Sequence, residues 1–128
     1  MKKLILLSLF IGLIIIACLK LKDVRIQRWG ISVKRTEGPL DSSYFYPVVA
    51  GYVKNFGNTT AYSVMVHLTL VCSYPSPRTA EIEQYVELVD SVDLDPQCSS
   101  DFSIAGERHK YHEKPKFYTV SSLTVTWK

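Results

Sequence analysis

Three cysteines, six glycines and six prolines in 128 residues set the first limits on this chain. No two cysteines stand in C-x-x-C spacing, which excludes the common redox pair and the zinc knuckle. There is no G-x-S-x-G elbow, S-x-x-K pair, P-loop or G-x-G-x-x-G turn, so no catalytic motif and no cofactor site is legible, and an enzyme is not expected. Net charge is scarce as well. Fifteen Lys and Arg against twelve Asp and Glu give +3, and losing Lys2 and Lys3 with a leader would leave +1, too little for a nucleic-acid binder. No apolar run reaches the roughly 20 residues of a membrane helix. Beyond residue 24 no segment keeps a helical period for the ten or so residues a helix needs.

What is present begins with "MKKLILLSLFIGLIIIACLK". Lys2 and Lys3 form a basic n-region, and residues 4–17 form an apolar run of the length expected of a secretory h-region. Ile15, Ile16, Ala17 and Cys18 resemble the lipobox of bacterial lipoproteins, in which a small residue precedes an obligatory cysteine. The resemblance implies a thioether-linked diacylglyceryl group on Cys18 and cleavage before it. Two or more acyl chains hold a bilayer stably where one does not. Residues 1–17 are therefore expected to be a signal peptide, 18–23 a lipidated cysteine with a tether of at most about 18 Å, and 24–128 a folded domain outside the cytoplasm. The alternatives are a plainly cleaved signal or an uncleaved anchor with an incidental cysteine; Lys20 and Lys22 blur the charge asymmetry the anchor would need.

Charge is unevenly spread. Residues 20–35 carry six cations against Asp23 alone, and residues 81–101 carry seven acids with no Lys or Arg. The basic stretch suits either solvated strand faces or an anionic lipid surface, which attracts each nearby cation by about 1 kcal/mol.

With Cys18 assigned to lipid, Cys72 and Cys98 remain as an even pair. In an oxidising compartment they are expected to form a disulfide closing a loop of about 27 residues, worth roughly 3–4 kcal/mol on the chain-entropy view. Two separate buried thiols are the alternative.

From Val24 onward the dominant period is two. In "SVMVHLTLVC", Val64, Val66, Leu68, Leu70 and Cys72 share one face, and His67 falls on the polar one. "AEIEQYVEL" sets Ala80, Ile82, Val86 and Leu88 opposite Glu81, Glu83 and Glu87, which predicts aliphatics inward and carboxylates outward. "VRIQ" and "ISVKR" are shorter candidates, and "SSLTVTWK" ends the chain with Leu123, Val125 and Trp127 on one side. "EGPLDSS", "NFGNTT", "SYPSPR" and "LDPQCSS" read as breakers. The expectation is an all-β, Ig-like antiparallel β-sandwich of about seven strands.

"VVAGYVKNFGNTTAYSVMVHLTLVC" resembles the FxLYD-type and CARDB-like sandwich domains of bacterial and archaeal surface proteins, through Gly51, Val53, Lys54, Asn55, Gly57, Thr60, Ala61, Val64 and Val66. The naming segment would fall on residues 68–72, where Leu68, Val71 and Cys72 depart from the pattern. "LDPQCSSDFSI" is similar to the family's Leu-x-Pro-Gly stretch, with Gln97 in place of Gly. In the turn, Asn55 is expected to bond nearby backbone and Gly57 to supply a positive φ. The resemblance implies a non-enzymatic module that contacts envelope proteins.

"GERHKYHEKPK" offers His109 and His112 with Glu107 and Glu113, but Gly106 and Pro115 bracket it as a solvated hairpin loop, and no metal site is expected. Eight Tyr and five Phe leave aromatic side chains for loop ends, where sandwiches bind. Tyr44, Tyr46, Tyr74 and Tyr111 are the candidate binding residues. The partners these features imply are membrane lipid through Cys18 and an envelope protein, or alternatively cell-wall glycan.

Overall fold

The computed structural model describes residues 21–128, so the expected signal peptide and Cys18 lie outside the described residues. Seven strands follow: β1 Val24–Arg35, β2 Tyr44–Asn55, β3 Met65–Ser73, β4 Glu81–Leu88, β5 Ser99–Ala105, β6 His109–Lys110 and β7 Phe117–Thr126. They form two antiparallel sheets, one ordered β1-β2-β5 with β6 also on β2, the other β4-β3-β7. This is the expected all-β sandwich. Among the described residues no helix is long and apolar enough to cross a membrane.

The alternation in β3 decides the core. Val66, Leu68, Leu70 and Cys72 are buried and meet Val49 and Val53 of β2 and Phe102 and Ile104 of β5. "VRIQ" and "ISVKR" are one strand rather than two, interrupted by a bulge between Ile26 and Arg28. Gly51 lies opposite that bulge, where a Cβ would collide with the Arg28 backbone.

β4 reverses its expected orientation. Glu83 is registered opposite Leu70 and Tyr85 opposite Leu68, so both face the other sheet with those buried residues. Ile82, Val86 and Leu88 point outward and are 69%, 56% and 54% exposed. Because side chains alternate strictly along a strand, one position of register exchanges the two faces completely. The face containing Tyr85, whose ring packs on the core, is the one turned in.

The two ends of the sandwich differ. At the near end Leu21 is already tied down: its carbonyl accepts the Asn58 and Thr59 N–H groups, and Phe56 N–H donates to Asp23. Residues 21–23 are therefore part of the domain, which shortens the expected tether. Asn55, fully buried, organises this end as the sequence suggests. Its amide donates to the carbonyls of Thr59 and Leu94, both at 2.9 Å, and its Oδ1 accepts the Gly57 N–H at 2.9 Å. Gly57 itself does not have a positive φ. It is needed for space, because a Cβ there would overlap the Leu21 carbonyl. Left-handed backbone instead occurs at Gln97, φ 63°, where the resemblance puts glycine.

The expected Cys72–Cys98 bridge is absent, and among the described residues both thiols are free. Cys98 precedes β5 at the near end, its carbonyl accepting the Asn55 N–H. Gly106, just past the other end of β5, sits against Leu70, two residues from Cys72. The intervening strand of seven residues spans roughly 23 Å at 3.3 Å each, far beyond the Cα separation a disulfide allows.

Candidate functional site

The far end gathers the termini of β1, β3 and β5 with the starts of β2, β4 and β7, and it holds most of the unusual chemistry. β6 continues the line of β5 along β2, registering His109 opposite Phe45 and Lys110 opposite Tyr44. This turns His109 inward, with its side chain only 12% exposed, so the solvated-loop expectation fails for that residue. His112 goes the other way, to an exposed contact 3.7 Å from Asp41, and the two histidines do not converge.

What His109 meets is Glu83. Its Nε2 lies 4.0 Å from Glu83 Oε1, and the Glu83 side chain is 13% exposed. Both atoms are buried, and neither has a hydrogen-bond partner among the described residues. Glu107, from the β5–β6 connection, brings its carboxylate to the same point, and the three ligand-type atoms lie within 4.8 Å of one another. One hydroxyl ties the group together. Tyr85 donates to Glu83 Oε2 at 2.6 Å and accepts the Glu107 N–H at 3.0 Å. Tyr74 stands edge-on to the His109 ring, with centroids 6.2 Å apart.

The surroundings hold the neighbouring thiol and phenols in their protonated forms. Burial, reinforced by the Glu83 charge, pushes the Cys72 thiol up to about 12. Burial and then the Glu81 charge push Tyr74 up to about 12 as well. Tyr85 and Tyr118 are pushed up by burial first. The Tyr118 hydroxyl is buried without a hydrogen-bond partner among the described residues. Cys72 is thus a protonated, inaccessible thiol, ill suited to nucleophilic work.

All four candidate tyrosines lie at this end, without ring contacts among themselves in the described residues. Tyr74 joins the histidine cluster and carries the Arg78 guanidinium 3.7 Å above its ring. Tyr46 lies under Arg108, and Tyr111 packs between Phe45 and His112 with Lys114 over it. Tyr44 is half-exposed at the start of β2, its N–H bonded to Thr36. Beside them Ile31, Val33, Phe45, Phe117 and Tyr118 line an apolar cleft of about 290 Å³ between β1 and β7.

Glu83 and Tyr85 are not legible in the sequence as site residues. Glu83 and Tyr85 were masked by the inverted face of β4. The only sequence signal was the lone aromatic at position 85 among the carboxylates. Searches among protein families, curated proteins and solved structures find no match to this chain.

Proposed function

We propose that the chain is a membrane-anchored lipoprotein whose non-catalytic β-sandwich serves protein–protein interaction at the cell envelope. The lipobox-like run ending at Cys18 and the resemblance to FxLYD-type and CARDB-like domains support the setting. The position of Leu21 supports the orientation. It enters the fold beside Asn58, so a lipid at Cys18 would hold the near end at the bilayer and turn the aromatic end away from it. Confinement to that layer raises the effective concentration for a neighbouring protein.

The observation that carries the interaction reading is the outer face of β4. Ile82, Val86 and Leu88 project from an edge strand, and Leu88 is registered beside Met65 and Ile82 beside Val71 of β3. Exposed aliphatics on a strand whose outer hydrogen-bonding row is unpaired among the described residues make a surface for another polypeptide, by strand addition or by packing. Glycan stacking has less support, because cations already lie over the rings of Tyr46, Tyr74 and Tyr111.

A photo-crosslinking side chain at Val86 in cells tests this. A discrete protein adduct that survives cell-wall digestion and disappears on Ile82→Lys supports the reading. No adduct from residues 82, 86 or 88, together with quenching of Trp29 fluorescence by cell-wall polysaccharide, overturns it in favour of glycan binding. For the anchor, Cys18→Ser should release the protein from membranes.

A further inference from the structure

We propose that Glu83, Glu107 and His109 form a binding site for one divalent transition-metal ion, with Zn²⁺ the representative. The site is independent of the outer face of β4 and of the lipid anchor.

Three observations lead there. First, the Glu83 Oε1 and His109 Nε2 atoms face each other at 4.0 Å, both buried and neither with a hydrogen-bond partner among the described residues. That separation is too long for a hydrogen bond, and leaving two such groups buried and unmatched is costly. Two donors on one tetrahedral ion with bonds of 2.0–2.2 Å stand roughly 3.4 Å apart, so an ion between them satisfies both after a closure of well under 1 Å. Second, the Glu107 carboxylate shares the same point, with all three donor atoms inside 4.8 Å. Two carboxylates and an imidazole are a donor set suited to a dication. Third, the donors are held from behind. The Tyr85 hydroxyl fixes the non-ligating oxygen of Glu83 and the backbone of Glu107, and Tyr74 abuts the His109 ring. Outer partners of this kind orient metal ligands and strengthen binding.

The donor set selects the ion. An imidazole nitrogen with carboxylates suits zinc and its first-row neighbours, whereas Ca²⁺ and Mg²⁺ demand oxygen alone. Three protein ligands also leave a fourth position for water, and the exposure of Glu107 gives an entry path.

The test uses untagged full-length protein in detergent micelles, stripped with a chelator and titrated with Zn²⁺ against a chromogenic competitor. One ion per chain is expected, unaffected by 1 mM Ca²⁺ or Mg²⁺. His109→Gln and Glu107→Gln should each weaken binding at least tenfold, while His112→Gln and Cys98→Ser leave it unchanged. Glu107 is exposed, so its variant stays informative even if a change at Glu83 or His109 disturbs folding. Co²⁺ in place of Zn²⁺ should give visible d–d bands that vanish in the His109 variant. Absence of binding below 100 µM, binding unaffected by the Glu107 and His109 changes, or binding lost on changing His112 or Cys98 would each overturn the proposal.

Discussion

Asn55→Ala tests the account of the near end most directly. The native amide makes three bonds of 2.9 Å and accepts a longer one of 3.5 Å from the part-buried Asp23 N–H, and the truncated variant loses all four. Their costs are unequal. The Leu94 carbonyl keeps the Ala61 N–H at 3.0 Å, and the Thr59 carbonyl is partly exposed, so water replaces the lost donor there. The Gly57 N–H is buried and becomes an orphan, costing about 1–3 kcal/mol. Adding about 1 kcal/mol for the vacated volume gives roughly 2–4 kcal/mol, a large share of the 5–15 kcal/mol typical of a domain. At about 4–6 °C per kcal/mol, the melting temperature should fall by roughly 8–24 °C. Asn55→Asp separates the contributions. It keeps the acceptor for Gly57 but presents a carboxylate to two carbonyls. Burial raises such a carboxyl above its unfolded pKa, so that variant should lose stability as pH rises from 4 to 7. Urea and thermal unfolding followed by circular dichroism measure both. A loss below 1 kcal/mol for Asn55→Ala would refute the idea that this side chain holds the turn.

Two further predictions concern the far end and the thiols. A maleimide at pH 7 should label Cys98 in the native protein and reach Cys72 only in denaturant, as read by peptide mass mapping; a linked Cys72–Cys98 peptide would contradict the geometry. Tyr118→Phe removes a buried hydroxyl that has no partner, so stability at neutral pH should rise by about 1 kcal/mol. The same group governs the alkaline limb. Tyr118 and Cys72 hold their protons to higher pH folded than unfolded, so their contribution is intact below about pH 9 and is lost as pH rises from there toward 12. Urea midpoints between pH 8 and 11.5 should fall for the native chain and fall less steeply for Tyr118→Phe.

The strands, the sandwich and the Asn55 turn were legible because each is written in a local rule: strict alternation in β3, breakers between runs, and a short amide beside a glycine. The bridge was not legible. Cysteine parity says nothing about which end of a strand each thiol occupies, and β5 carries Cys98 away from Cys72. His109 was hidden for a related reason, since a two-residue strand against Phe45 is too short to leave a period.

β4 is the instructive failure. Turning Ile82 and Val86 inward would bury side chains now 69% and 56% exposed, at a gain of roughly 1–2 kcal/mol each. The observed register forgoes that gain and places Glu83 inside. Part of the compensation is visible, in the packed Tyr85 ring and its bonds to Glu83 and Glu107. The remainder is not, for Glu83 Oε1 stays buried and unpartnered while the aliphatics stay wet. Breaks in local patterning are expected at functional or strained sites. A cation at Glu83 would repair the inner deficit and a protein on Ile82 and Val86 the outer one, and because both follow from the same register they are tested by different reagents on the same strand.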